Sequence, residues 1–479
     1  MTYISRRHLL AGLGTAGFAS GLGGLTNISL NKAWAADTSG YKAMVCIFLK
    51  GGMDGADTII PYDQTSYNQL RSLRDGLYGS YNSGSGASSR NRANLLPLNP
   101  DNAANFGGQQ FAMPRELAPL HNLFESGELA VVGNVGPLIE PTTRAQMDAG
   151  SVILPKRLFS HNDQQSTWMS FATEGARRGW GGRFMDAVVA SSPNENRTFS
   201  AMATSANDVF LAGNDVSQFT VSRGTAARPD LFAARNLLGT SSDDDAARDK
   251  IRAFLTKREL GSRNIFEQDS AAALAQAVEN SEQFATAREN ATPFSTQFAD
   301  NTSISRQMAA VAETIKIRQF LNVSRQMYYV TMGGYDTHSA QSGQMGQLHS
   351  QLANAISAFR DAMVEIGEWN NVVVFTASDF GRTLIDNGNG TDHGWGGHHI
   401  VAGGDVRGKN IYGTIPTPEL NNGSYTRSRG RLIPSTSVEQ YAASMGSWFG
   451  LSNSELSSAL PNLSNFNTRD LGFMNGANA

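Results

Sequence analysis

The chain has 479 residues, a formal net charge of −3 and a single cysteine. A charge so close to zero argues against a general binder of nucleic acids or other polyanions. One cysteine excludes an intramolecular disulfide and cysteine-based zinc sites, so stability must come from a large hydrophobic core.

The N-terminus is typical of an export signal. Residues 5–10 (SRRHLL) place two arginines ahead of an uncharged Gly/Ala/Leu stretch, and residues 33–35 (AWA) have the form of a cleavage site. Paired arginines before a weakly apolar core favour the twin-arginine route and its translocon. A membrane anchor is the alternative, which the many glycines make less favourable. We therefore expect residues 1–35 to be a twin-arginine signal and the mature protein to be periplasmic or secreted, with no stable membrane span.

Apolar runs and helical patterns alternate along the rest of the chain. Strands are predicted at residues 43–49, 129–135, 326–332 and 372–376, with shorter candidates at 399–403 and 410–412. Amphipathic helices are predicted at residues 115–127, 348–369 and 437–448, and a surface loop at 79–92. This alternation favours an α/β fold with a mainly parallel sheet and helices on both faces.

The middle of the chain, about residues 201–322, differs in composition. It is rich in Ala, Gln, Asn and charged residues, and residues 244–258 and 304–321 have helical periodicity. We expect a helical insertion or cap here, within a single domain that spans residues 36–479.

Acidic residues follow three predicted strands closely. Asp54 and Asp336 each come after a Gly-Gly pair, and Asp379 follows the strand at 372–376. His338 and His393 come shortly behind the second and third of them. Ligands of open α/β sheets bind at the carboxyl ends of the strands, and Asp and His side chains gathered there can hold a divalent metal ion. The alternative for each Asp alone is that it caps a turn.

Four motifs in this order resemble a known family: FLKGGMDGADT, FSHNDQQSTW, GGYDTH and FTASDFGRT…GTDHGWGGHH. They look like the DUF1501 family of exported bacterial proteins, which is similar to the alkaline phosphatase and sulfatase superfamily. The resemblance implies an alkaline-phosphatase-like, doubly wound sheet that holds one or two divalent ions (Zn, Mn, Mg or Ca).

The resemblance also implies metal ligands. Asp54 and Asp379 fall at the first metal position, and Asp336, His338 and His393 fall at the second. Phe380 stands where the superfamily has a histidine ligand. One imidazole ligand is therefore missing unless His398 or His399 supplies it.

A hydroxyl at a helix N-terminus is the nucleophile that the resemblance implies. Ser160 is the first candidate, because Asp163 follows it at capping-box spacing; a plain helix cap is the alternative, and Thr142 and Thr143 are further candidates. Arg382 could hold an oxyanion, and His161 could act as a general acid.

Three functions remain open at this point. The leading hypothesis is an exported metal-dependent hydrolase of small or polymer-linked phosphate or sulfate esters, with Ser160, His161 and Arg382 as catalytic residues. The alternative is a non-catalytic envelope or surface binding protein on a degenerate phosphatase scaffold, which Phe380 favours. An exported oxidoreductase is the weakest hypothesis, because the sequence contains no dinucleotide fingerprint or haem motif.

Overall fold

The computed structural model describes residues 39–83, 89–191, 197–205, 208–222, 265–299 and 301–476. The expected signal at 1–35 and the expected helix at 244–258 lie outside these ranges. Within them, no helix combines the length and the apolar character that crossing a membrane requires.

The secondary structure alternates between strands and helices. The strands are β1 (Lys42–Leu49), β2 (Ile60–Pro61), β3 (Leu96–Pro97), β4 (Phe111–Met113), β5 (Leu129–Gly136), β6 (Ala201–Ala203), β7 (Phe219–Thr220), β8 (Arg325–Met332), β9 (Val372–Ser378), β10 (Arg382–Asp386), β11 (Thr391–His393), β12 (Gly397–Ala402), β13 (Ile411–Gly413) and β14 (Thr436–Ser437). The α-helices are Gly55–Thr58, Gln64–Leu73, Asp75–Ser83, Ala118–Glu125, Arg144–Ala149, His161–Ser170, Trp180–Ser191, Ile265–Glu289, Ser303–Lys316, Gln341–Glu365, Val438–Phe449 and Asn453–Ala459.

Nine strands form the central sheet, in the order β13-β5-β12-β9-β1-β8-β6-β7 with β14 beside β5. β1 lies at the centre and runs parallel to both β8 and β9. Among the described pairings of this sheet, only those of β12 with β5 and β9 are antiparallel. The predicted α/β fold with a mainly parallel sheet is confirmed.

Helices cover both faces because successive side chains of a strand point to opposite sides. Val45 and Ile47 of β1 pack with the helices Ala118–Glu125, Ser303–Lys316 and Gln341–Glu365. Met44, Cys46 and Phe48 pack with the helices His161–Ser170, Trp180–Ser191 and Val438–Phe449. The sheet is therefore doubly wound, and Cys46 is a buried thiol.

The described parts of residues 201–322, where we expect a helical insertion or cap, contain both helices and short strands. β6 extends the central sheet by parallel pairing with β8, and β7 pairs parallel with β6. The helix Ser303–Lys316 packs on one face of the sheet through Met308 and Ile315. Strands of two or three residues carry too little periodicity to be found in a sequence, so this part of the sheet was missed.

The carboxyl ends of β1, β8 and β9 lie side by side and bring three loops together. The loop after β1 contacts the loop after β8 at Gly51, whose φ is +116°. A Cβ atom at Gly51 would overlap the backbone nitrogen of Asp336. Glycine at this position therefore allows the two loops to touch and places Asp336 over the edge of the sheet.

Candidate metal centre

Three imidazoles surround the carboxylate of Asp336 at this edge. The Nε2 atoms of His338 and His393 lie 3.2 and 3.5 Å from Asp336 Oδ1. The Nε2 atom of His161 lies 3.5 Å from Asp336 Oδ2. A candidate ligand atom from each of His161, Asp336 and His393 lies within 4.8 Å of the others. This is the spacing of groups that can share one metal ion.

The other ring nitrogen of each imidazole is held by an oxygen atom. The Nδ1 contacts are His161 to Asp379 Oδ2 at 2.6 Å, His338 to Asp392 Oδ1 at 3.2 Å and His393 to the Phe159 carbonyl at 2.8 Å. Carbonyl and carboxylate oxygens accept hydrogen bonds, so each Nδ1 is assigned as the donor. Each Nε2 is then left with a lone pair, as in histidines that bind metal through Nε2 while Nδ1 is fixed by an acceptor.

The Nε2 lone pairs require a cation or a proton. The Nε2 atoms of His338 and His393 are 2.7 Å apart, so two neutral rings in these tautomers would bring their lone pairs into repulsion. His161 Nε2 is buried and has no hydrogen-bond partner among the described residues. A divalent ion beside Asp336 would satisfy the nitrogens of His161 and His393, which lie together with this carboxylate at the spacing of one metal site. The residues present therefore fit a metal ion.

Neighbouring groups keep the carboxylate of Asp336 ionised. Burial acts to raise the pKa of Asp336, but the hydrogen bond and charge of Arg382, with His161 and His338, outweigh it and lower the pKa. The hydrogen bond to Asp379 raises the pKa of His161 against the effect of burial, whereas burial lowers the pKa of His393. The centre thus combines an ionised carboxylate with an imidazole, that of His393, whose protonation is disfavoured.

The segment that leads into the helix His161–Ser170 has an unusual backbone. Arg157 and Phe159 both have positive φ, at 52° and 73°, which is unfavourable for residues other than glycine. This conformation directs the Phe159 carbonyl at His393 and starts the helix with His161 beside Asp379. The backbone strain therefore fixes two of the three imidazoles.

The ring of Phe380 forms one wall of the centre. Its centroid lies 4.8 Å from that of His161 and 4.6 Å from that of His393. The apolar ring limits the rotation of both imidazoles and supplies no ligand of its own.

A family model described as "Protein of unknown function (DUF1501)" matches residues 41–426. The chain belongs to the DUF1501 family. No curated protein matches it.

Several solved structures share low similarity with this DUF1501 protein. One is a Bacteroides thetaiotaomicron protein whose description refers to the metabolism of multiple glycosaminoglycans. The match has 10% identity, covers 78% of this chain and 69% of the other, and has a TM-score of 0.29. A 2-O GAG sulfatase has 10% identity, coverages of 78% and 66% and a TM-score of 0.26. The alkaline phosphatase of the Antarctic bacterium TAB5 has 11% identity, coverages of 76% and 90% and a TM-score of 0.24.

Asp54, which we expected to bind metal, lies outside the centre. It is fully buried, and Arg74 donates to both of its oxygens, at 2.7 and 3.0 Å. Gln341 donates to Oδ2 at 2.7 Å, and the Ala56 amide donates to Oδ1. With its charge neutralised and its oxygens occupied, Asp54 has a structural role in the DUF1501 fold instead.

Asp379 lies behind the centre and contacts it through a histidine. Its oxygens accept from His161 Nδ1 at 2.6 Å, from Gln165 Nε2 at 2.9 Å and from the Gly51 amide at 3.1 Å. Asp379 is therefore placed to orient His161, and its expected role as a ligand itself stays a prediction.

Arg382 is buried and saturated with acceptors. It donates to Asp336 and to the carbonyls of Gly51, Gly52, Tyr335 and Thr391. These contacts join the three loops, so the guanidinium is not free to hold a substrate oxyanion as we expected.

Ser160 occupies the N-cap position of the helix His161–Ser170, but its hydroxyl donates to Asp163 Oδ2 at 3.0 Å and does not cap the backbone. Asp163 also contacts Arg157. The hydroxyl of Ser160 is thus bonded to Asp163, and its expected role as the nucleophile stays a prediction. His161, expected as a general acid, is instead placed as a candidate ligand.

The remaining histidines of the motif do not replace Phe380 as a ligand. His398 Nδ1 accepts from the Asn134 amide at 3.0 Å, and burial lowers the pKa of His398 to about 4. His399 contacts Thr376 Oγ1 at 3.2 Å, and burial lowers its pKa to about 3. Both are neutral core residues.

Sequence reasoning missed two residues that shape the centre. Asp392 precedes His393 in β11, and its position beside a predicted ligand was the available signal. Arg74 gave no such signal in the sequence, because its pairing with Asp54 joins separate elements and appears only in the fold.

Proposed function

We propose that this DUF1501 protein binds a divalent metal ion through His161, Asp336, His338 and His393, and that it hydrolyses phosphate or sulfate esters at that ion. One observation carries the proposal: three Nε2 lone pairs converge on a carboxylate while every Nδ1 is held by an oxygen. Such a centre has open positions for a substrate, because Asp336 and His338 are 49% and 44% exposed.

The donor set indicates which ion to test first. Imidazole nitrogens suit zinc and other transition metals, whereas magnesium and calcium prefer oxygen ligands. Three nitrogens and one carboxylate therefore favour zinc, with manganese next among the four ions we expected.

The chain's own residues would bind the metal ion, orient its imidazole ligands and shield the site. When bound, a divalent ion acidifies a water molecule and offsets charge on a transferring oxyanion. Asp379 and the Phe159 carbonyl fix the ring orientation of His161 and His393. Phe380 packs against both of these rings, and the half-exposed carboxylate of Asp336 leaves the centre accessible from solvent.

Zinc binding tests the proposal directly. The purified protein should retain one zinc ion by native mass spectrometry, and Asp336→Asn and His393→Ala should lose it. His121→Ala is a matched control, because the polar contacts of His121 with described residues are to the Pro97 carbonyl and Glu125. Wild-type protein that takes up no divalent ion would refute the metal centre.

Turnover separates the hydrolase from the alternative, a non-catalytic binding protein on the same scaffold. The alternative is favoured by the hydroxyl of Ser160 bound to Asp163 and the guanidinium of Arg382 saturated by the protein. We expect zinc-loaded protein to cleave 4-nitrophenyl phosphate or 4-nitrophenyl sulfate and Asp336→Asn to lose this activity. Zinc retained without turnover of either ester would support the binding protein.

Export forms part of the same proposal. Residues 1–35 have the paired arginines and cleavage site of a twin-arginine signal, so the mature chain should be found in the periplasm or the medium. Replacing both Arg6 and Arg7 by lysine should leave the precursor in the cytoplasm, as measured by cell fractionation, and unchanged export would exclude this route.

A further inference from the structure

A hairpin beside the candidate metal centre carries three arginines. Residues 425–432 form it, with an antiparallel bridge between Tyr425 and Leu432 and a hydrogen bond of 2.8 Å from the Thr426 amide to the Arg431 carbonyl. Its turn contains Arg429 and Gly430 at positive φ, 53° and 64°. We call residues 425–432 the arginine hairpin.

Arg431 is the arginine that lies against the centre. Its Nε donates to the His393 carbonyl at 2.8 Å, and its guanidinium carbon lies 4.3 Å from the centroid of the Phe159 ring. Both contacts are to residues that build the centre, since Phe159 holds the imidazole of His393. The position of the guanidinium is therefore fixed relative to His393.

The outer nitrogens of Arg431 remain available. Nη1 has only a long contact of 3.5 Å to the Ser428 carbonyl, and Nη2 donates to none of the residues that the structure describes. Burial lowers the pKa of Arg431, yet a guanidinium stays charged at any physiological pH. A partly buried cation with unused donors is suited to bind an anion.

The other two arginines of the hairpin each pair with a carboxylate. Arg429 contacts Asp392 Oδ2 at 2.8 Å, and Asp392 in turn holds His338. Arg427 contacts Asp148 at 3.0 Å, and its side chain is 79% exposed. Only Arg431 combines contact with the centre and free donors.

The geometry points to Arg431 as the residue that binds the oxyanion of the substrate at the metal centre, the role expected of Arg382. A guanidinium can donate to two oxygens of one phosphate or sulfate group. The ligand class is thus an ester with a terminal tetrahedral anion. This inference rests on the proposed function, because the anion would be shared between Arg431 and the metal ion.

Titration of inorganic phosphate and inorganic sulfate into the zinc-loaded protein tests the inference, with isothermal calorimetry as the readout. We expect Arg431→Gln to weaken anion binding by about tenfold or more, because a hydrogen bond to a charged group is lost. Arg431→Lys should fall in between, since lysine keeps the charge but not the fork of donors. Arg427→Gln removes the same charge from the same hairpin and should change the affinity by less than about twofold.

Zinc content, measured on each variant, separates this inference from the proposed function. Equal losses in Arg431→Gln and Arg427→Gln, or a zinc-loaded wild type that binds neither anion, would overturn the inference and leave the metal centre intact. A wild type that binds no zinc would overturn the proposed function. In that case the same titrations on metal-free protein decide the role of Arg431: weaker binding by Arg431→Gln alone supports it, and no binding by the wild type refutes it.

Discussion

Asp54 and Asp336 have the same local sequence and opposite surroundings. Each follows a pair of glycines at the end of a parallel strand. Asp54 is fully buried against Arg74 and Gln341, whereas Asp336 is 49% exposed and faces three imidazole Nε2 atoms. Arg74 and Gln341 occupy both oxygens of Asp54, whereas Arg382 donates only to Oδ1 of Asp336. The number of carboxylate oxygens left unoccupied by the protein thus separates the strand-end carboxylate that can bind a metal from the one that cannot.

Removing the fixed cation should cause the largest change. Arg74→Met leaves Asp54 buried without its ion pair, which costs about 3–5 kcal/mol of unfolding free energy. Urea unfolding at neutral pH measures this loss. Arg71→Met removes an exposed cation from the helix Gln64–Leu73, of which Arg74 is the C-cap residue. This control should leave the unfolding free energy almost unchanged.

The double variant Asp54→Asn/Arg74→Met tests the physical reason. If the unpaired charge is responsible, removing that charge should restore part of the lost stability. If Arg74→Met is as stable as the Arg71→Met control, Asp54 is not held by Arg74, and the contrast with Asp336 fails.

Glu439 extends the comparison to a buried carboxylate whose hydrogen bonds come from amides. Asn462 donates to both of its oxygens at 2.7 Å, from the backbone and from the side chain. Burial raises the pKa of Glu439 from 4.5 to about 7, against the effect of the Asn462 hydrogen bonds and of Arg183. In contrast to Asp54, this carboxylate accepts no hydrogen bond from a guanidinium among the residues that the structure describes.

The raised pKa makes stability depend on pH. Between pH 4.5 and about 7 the folded state binds the Glu439 proton more tightly than the unfolded state does, so stability falls as pH rises through this window. The loss should approach about 3 kcal/mol when the window has been crossed. Glu439→Gln cannot titrate, so its stability relative to wild type should increase by that amount from acidic to neutral pH. A difference that stays constant with pH would exclude the shift.

The sheet could be predicted from the sequence to a greater extent than the centre. Long apolar runs located β1, β5, β8 and β9 within a few residues, because burial on both faces leaves a continuous pattern. The helix Gln341–Glu365 begins seven residues before the predicted start at 348, since its first turns are polar. The candidate site could be predicted only in part: Asp336, His338 and His393 lie together, whereas Asp54 is paired with Arg74. Nothing local distinguishes Asp54 from Asp336, and only the fold brings Arg74 and Arg382 to them.

A variant of Asp379 tests how strongly a residue behind the centre controls its metal affinity. Asp379→Asn would turn an amide toward the Nδ1 proton of His161 and favour the wrong tautomer, which weakens metal affinity by about 10–100-fold. Competition with a zinc chelator measures the change. Asp208→Asn is the control, because Asp208 pairs with Lys50 at the same edge of the sheet. Equal affinities of the two variants would show that His161 is not a ligand.

Arg429 should produce the smallest effect, because it acts through two further residues. It contacts Asp392, which holds His338, and its side chain is 51% exposed. An exposed ion pair contributes about 0–1 kcal/mol, so Arg429→Gln should weaken zinc binding by about fivefold at most. Its anion affinity at saturating zinc should match that of Arg427→Gln. A loss of anion binding as large as that of Arg431→Gln would mean that Arg429 and Arg431 both bind the substrate.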